Sequence, residues 1–241
     1  MKRVVVAALA AVVWLVGCGG GGSLPTGQNS PNPQLPETPV DPNAPGKPDA
    51  DPSLWPLTQG STWTYRITEE GKGVFDKRVE VIGPQTVPGT TTPATAVRSI
   101  QPTLEELSWQ VELQSGVVVR LREDDLKSGQ VARSTTWAPA TVKSLAKVQN
   151  QGWSYSSSIH EKVQQADGTV DEKDRTYVWR VVAVNETVVV PAGTFTNAIK
   201  VQRDRPDKEG KERIYWLVPG VGKVKEEGER LEELSSYDVK K

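Results

Sequence analysis

His160 is the only histidine in a chain of 241 residues, and Ser158 stands two positions before it. Residues i and i+2 of a strand share a face. With a nearby aspartate, the pair could be drawn as nucleophile, base and orienter for acyl transfer. The chain has no Gly-x-Ser-x-Gly turn to hold such a serine proud of a sheet. The run Ser156 to Lys162 is polar apart from Ile159, which is the pattern of a histidine on an exposed strand. One histidine and one cysteine cannot supply the converging nitrogen and sulfur ligands of a transition-metal site. The stretch from Asp41 to Pro52 has the acidic flavour of a calcium loop, but ligand positions 5 and 12 are Pro45 and Pro52. Asp124 and Asp125 precede the turn Lys127-Ser128-Gly129, as at a hairpin end, and nothing singles out a glycosidase pair. Asn185-Glu186-Thr187 matches a glycosylation sequon but sits in a strand-like run, where it reads as incidental. The expectation is no enzyme, no catalytic residue, no metal and no cofactor.

The single cysteine carries a different chemistry. Met1-Lys2-Arg3 is followed by an apolar run from Val4 to Val16, shorter than the roughly 20 residues of a membrane span. It ends in Leu15-Val16-Gly17-Cys18, which resembles the processing box of bacterial lipoprotein signal peptides. The resemblance implies a thioether-linked diacylglycerol on Cys18, cleavage before it, and acylation of the new N-terminus by a chain such as palmitate. One acyl chain binds a membrane marginally and further chains make anchoring stable. Residue 19 is Gly rather than Asp, which under the same resemblance permits transport across the periplasm to the outer membrane, with the leaflet that the domain faces left open. The reading is residues 1–17 as signal peptide, 18–53 as lipidated cysteine and disordered linker, and 54–241 as the folded domain. Nine prolines fall between Pro25 and Pro52, half of the chain's 18, with almost nothing apolar between them. Such a linker spans roughly 30–35 Å as a coil and roughly 100 Å as extended polyproline.

The elements of the folded part follow from period two. Trp63, Tyr65 and Ile67 alternate with Thr64, Arg66 and Thr68. Leu107, Trp109, Val111 and Leu113 alternate with Ser108, Gln110 and Glu112, and Tyr177, Trp179 and Val181 with Val178, Arg180 and Val182. Alternation with recurrent glycine turns predicts a meander of antiparallel strands, one face inward and one wet. We place them near 61–70, 73–82, 93–101, 105–114, 116–123, 130–137, 152–165, 174–190, 196–205, 211–218, 221–227 and 230–239. The last also suits a short helix, and 139–149 suits one helical turn. A weak echo links Gly60-Ser-Thr-Trp63-Thr-Tyr65 to Gly152-Trp153-Ser-Tyr155. The absence of a βαβ pattern excludes nucleotide-binding α/β folds. Lys2, Arg3 and Lys47 are three of the 29 basic residues, and Glu37, Asp41, Asp49 and Asp51 four of the 30 acidic ones, so the domain is formally neutral. A nucleic-acid binder would be basic.

Three patches resemble the TapB-like group of bacterial secreted and lipoprotein domains. They are Trp55-Pro-Leu57-x-x-Gly60-x-x-Trp63-x-Tyr65, Val190-Pro191-Ala192-Gly193-Thr194-Phe195, and Tyr215-Trp216-x-x-Pro219-Gly220-Val221-Gly222-x-Val224. The resemblance implies a curved antiparallel sheet similar in outline to the LolA/LolB half-open barrels. Seven of the eight tryptophans lie beyond the signal peptide. Trp63, Trp109, Trp153 and Trp179 are expected to share one interior, as core or as an aromatic platform for a ligand. Two functions fit: a membrane-anchored, non-enzymatic structural or interaction domain of the cell envelope, or a carrier of an amphipathic lipid or glycan in a half-barrel groove.

Overall fold

The structure, a computed structural model, describes residues 52–241. The expected signal peptide, Cys18 and the expected linker up to residue 51 lie outside the described residues. Twelve strands follow one another: β1 (Thr62–Glu69), β2 (Gly73–Thr86), β3 (Pro93–Gln101), β4 (Leu104–Glu112), β5 (Val117–Lys127), β6 (Gln130–Leu145), β7 (Ser154–Gln165), β8 (Val170–Val190), β9 (Gly193–Asp204), β10 (Arg213–Val218), β11 (Gly222–Glu227) and β12 (Leu231–Asp238). Each pairs antiparallel with its neighbour in sequence, and β12 returns to β1. The meander is as expected from the period, but the barrel is closed rather than half-open. The closing ladder runs from Thr62↔Asp238 to Thr68↔Leu231. An open sheet leaves two rows of unpaired N–H and C=O groups, and joining its first and last strands satisfies both. That pairing also decides the ambiguous last segment, which is strand and not helix.

The expected helical turn at 139–149 is not formed. β6 continues to Leu145, because Val117↔Leu145 and Val118↔Ser144 extend the β5–β6 ladder to its end. Long-range pairing here overrides local propensity. β6 meets β7 only from Arg133↔Gln165 to Ala138↔His160, and beyond that point the two strands part.

Period two is right along β4, but its polarity is reversed. Glu106, Ser108 and Gln110 line the interior of the barrel. Trp109, on the opposite face, is nevertheless only 3% exposed. The β2–β3 turn folds over that face: Arg122, whose guanidinium lies 5.9 Å from the Trp109 ring, reaches the Pro88 carbonyl at 3.4 Å. The same device covers Trp216 on β10. The β8–β9 hairpin bends at a series of register shifts between Val181 and Val188. Val188 and Val190 then pack with Trp216, Val218, Val224 and Leu234. Glu186 accepts the Trp216 indole N–H at 3.1 Å, and the Ala192 N–H donates to the Leu234 carbonyl at 2.9 Å.

The three sequence patches converge on this closure. Ser53 accepts from Gly220 N–H at 2.9 Å, and Leu54 donates to the Ala146 carbonyl at 2.7 Å, so the segment entering β1 lies across one end of the barrel. The Trp63 indole donates to the Val221 carbonyl at 2.6 Å. Gly222 has φ +98°, and a Cβ there would stand 3.3 Å from Pro56 and 3.6 Å from the Trp63 indole nitrogen. Only glycine allows that backbone conformation and that approach together.

The sequence echo has a structural counterpart, shifted by two residues. Gly60 N–H donates to Val81 O while Val81 N–H donates to Ser61 O, and Gly152, Val181 and Trp153 repeat the arrangement. Trp63 therefore corresponds to Tyr155, not to Trp153.

Candidate functional site

The barrel encloses a cavity of about 350 Å³ to which all twelve strands contribute. Its lining is charged. Seven cationic side chains face it, Lys77, Arg120, Lys143, Arg203, Arg213, Lys223 and Arg230, against Glu106, Glu123, Glu161, Glu226 and Glu232. Trp55 reaches in from the end-crossing segment and donates its indole N–H to Gln110 at 2.8 Å.

One side of the cavity is a closed ion network. Glu232 is 2% exposed. It accepts from Lys77 at 2.8 and 2.9 Å, from Lys223 at 2.6 Å and from Arg230 at 2.6 and 2.8 Å. Lys223 also pairs with Glu226, which Arg213 reaches at 3.2 Å. Burial alone would raise the Glu232 carboxyl, but Lys223, Lys77 and Arg230 outweigh it and hold it well below the usual carboxylate range. The Tyr65 ring lies 5.0 Å from the Lys223 ammonium and 5.7 Å from that of Lys77, and its hydroxyl donates to the Lys223 carbonyl at 2.9 Å. Burial pushes the Tyr65 hydroxyl far up, so it stays a donor.

The other side is not balanced in this way. Arg120 pairs with Glu123 and stacks 4.4 Å over Trp137. Glu161 accepts from Arg175 at 2.7 Å and from Trp137 at 3.2 Å. Lys143 has no ion pair or hydrogen bond among the described residues; its ammonium sits 5.7 Å from the centre of the Trp55 ring. Burial, with Arg120 nearby, pushes the Lys143 amine down to about 7. Arg203 lies between Tyr177 and Trp179 at 5.1 and 5.8 Å and pairs with no carboxylate among the described residues. Three cavity-lining donors, Arg120 Nε, Arg203 Nε and Ser99 Oγ, are buried without a protein acceptor among the described residues. A ring face returns about 0.5–2 kcal/mol to a cation, less than the several kcal/mol of taking an ion out of water.

Glu106, Glu123 and Asp125 bring carboxylate oxygens within 4.8 Å of one another. Arg120 and Arg133 already meet two of these charges. Burial raises the Asp125 carboxyl, with Arg133 opposing. The trio belongs to an ion-pair cluster rather than to a set of free cation ligands.

The residues singled out for chemistry lie elsewhere. His160 is exposed on the outer face of β7, its Nδ1 at 2.9 Å from Asp174 and its Nε2 at 3.5 Å from Glu172. The hydrogen bond to Asp174 raises its pKa. Ser158 pairs with the Thr176 hydroxyl at 3.1 Å. The histidine nitrogen that would serve a serine thus faces a carboxylate. The four tryptophans do not share one interior. Trp63 belongs to the closure cluster and lines the cavity, while Trp109 and Trp179 are buried in a second cluster against which Trp153 packs half-buried. Sequence reading passed over the lumen cations. Their one signal is charged residues, such as Lys77 and Arg203, at the same phase as apolar neighbours on their own strands.

No protein-family model matches the sequence, and no curated protein matches it. Two solved structures are similar in part. A protein of Parabacteroides distasonis described as a lipoprotein is 13% identical, with 79% of this chain and 100% of that one covered, at a TM-score of 0.40. A protein of Bacteroides fragilis described as exported, with a YmcC-like fold, is 14% identical over 78% of this chain and 99% of its own, at 0.42. Likeness at this level carries no functional information.

Proposed function

We propose that the chain is a cell-envelope lipoprotein, held on a membrane through Cys18, whose barrel binds a small ligand in its lumen without transforming it. The observation that carries the binding reading is the charged cavity. A barrel serving only as a rigid body gains nothing from buried ions, which apolar side chains of similar volume would replace at no loss of stability. Its volume of about 350 Å³ lies at the lower end of ligand pockets, about 300–1,000 Å³. Closure removes the open apolar groove that a lipid carrier would use, so a compact polar ligand fits better than an acyl chain. His160 lies outside the lumen, tied to Glu172 and Asp174, and so does not act on a lumen ligand.

The anchor has support from the outer wall as well as from the Leu15–Cys18 box. Arg66, Asp76, Arg78, Lys162, Asp174 and Arg180 are exposed on the barrel's outside. A cationic side chain there would cost about 2–4 kcal/mol at a bilayer midplane. β10 and β11 are six residues each, short of the roughly 9–11 of a spanning strand. The wall is suited to water, and attachment falls to the N-terminus.

Two measurements test this reading. Cells fed a clickable palmitate label the wild type and leave Cys18→Ala unlabelled; equal labelling of both removes the anchor. Native mass spectrometry of the full chain purified from membranes shows a low-mass adduct that denaturation releases. A bare mass after gentle purification and after incubation with envelope extract argues against a lumen ligand.

A further inference from the structure

We propose that the lumen ligand is a small organic anion with a flat ring, its charged group held by Lys143 and Arg120 beneath Trp55. This deepens the binding reading and rests on it. Arg120 stands opposite Thr141 in the β5–β6 ladder, and Lys143 follows two residues on, so both cations project from the same face into the cavity. Arg120 commits one terminal nitrogen to Glu123 and leaves Nε buried with no acceptor among the described residues. Lys143 has no acceptor at all among them, only the Trp55 ring. The charged groups around Lys143 are Arg120 and Glu123 from β5, Lys223 from β11 and Lys77 from β2. Three of these four are cations, and Lys77 and Lys223 already share Glu232. The one carboxylate among them, Glu123, is taken by Arg120, so none is left for Lys143. A carboxylate or sulfonate there would meet the ammonium and the free Nε together, a charge-assisted pairing stronger than a neutral one. Trp55 and Trp137, which now lie against Lys143 and Arg120, offer ring faces to the ligand's flat part.

Binding is coupled to protonation. With its amine near 7, Lys143 is charged below neutrality and neutral well above it. An anion binds the charged form, so affinity falls as pH rises through that value, and binding takes up protons.

The experiment uses 2-naphthoate and its neutral isostere 2-naphthamide, titrated calorimetrically into the full-length protein in detergent. At pH 6 naphthoate is expected to bind at least about tenfold more tightly than naphthamide. The preference should shrink by about tenfold at pH 8.5 as the linked proton is lost. Lys143→Met should abolish the preference while keeping naphthamide binding and the unfolding midpoint. Equal affinity for the two probes overturns the anion proposal and leaves the binding reading intact. A naphthoate preference that survives in Lys143→Met, or is flat from pH 6 to 8.5 in the wild type, removes Lys143 as the anchor. If neither probe binds at millimolar concentration, the flat-ring anion proposal falls, and the native mass spectrum of the full chain alone decides the binding reading. The pH series on the wild type decides the matter even where the variant folds poorly.

Discussion

Trp63→Ala is expected to cost about 3–5 kcal/mol, the range for truncating a buried aromatic. A domain of this size loses about 2–4 °C per kcal/mol, so the midpoint should fall by roughly 6–20 °C. That is a large share of a typical domain stability of about 5–15 kcal/mol. The reason is local. The indole fills the corner where the chain enters and where β10 turns into β11, and it donates to the Val221 carbonyl at 2.6 Å. Removing it leaves that carbonyl without its donor and opens a void against Gly222 and Pro56. Trp63→Phe keeps most of the burial and loses the hydrogen bond, so a smaller loss is expected. Thermal or urea unfolding followed by near-ultraviolet circular dichroism distinguishes the outcomes. A Trp63→Ala protein with an unchanged midpoint and lost ligand binding would show that this tryptophan serves the ligand and not the closure.

The strands were legible because each carries its own signal. Trp63-x-Tyr65-x-Ile67 alternates, and turns such as Lys127-Ser128-Gly129 punctuate the meander, so all twelve strands were placed; the bounds of β6 were not, since the expected strand 130–137 runs on to Leu145 where the partner β5 holds it. Closure was not legible, since pairing of Thr62 with Asp238 is a contact between chain ends to which no local pattern points. The polarity of β4 was not legible for a different reason. Alternation separates two faces but does not say which is inside when both are covered. Trp109 is hidden by the β2–β3 turn on one side, and Gln110 by the lumen on the other. The lumen was missed for the same cause. Lys77, between Phe75 and Val79 on one face, breaks an apolar row, and such a break means a buried charge only once the opposite wall is known to carry Glu232.

Glu232→Gln is the second large effect, expected at about 3–5 kcal/mol, the cost of removing one partner from a buried charge set. The substitution leaves Lys77, Lys223 and Arg230 facing one another, with Glu226 against Lys223 and Glu69 at 3.7 Å from Arg230 as the remaining carboxylates. The sign of the pH dependence follows from the depressed carboxyl. In the unfolded chain the glutamate titrates near about 4.3, whereas in the barrel it titrates well lower. Its contribution is fully present above the unfolded value and is lost as pH falls through the folded one. The wild type should therefore weaken steadily below about pH 5, and Glu232→Gln should show a shallower decline from a lower plateau. Glu226, also depressed by Lys223 against its burial, keeps part of the slope in the variant. A second substitution separates charge from packing. Lys77→Met in the Glu232→Met background removes one of the stranded cations and should restore at least about 1 kcal/mol, a coupling of the size seen between contacting residues. Urea midpoints at pH 7, 5 and 4 for the wild type, the single variants and the double variant measure this directly. Additive losses across the Lys77–Glu232 cycle, with no difference in pH slope, would mean that the network contributes packing alone and that its charges are already met by water.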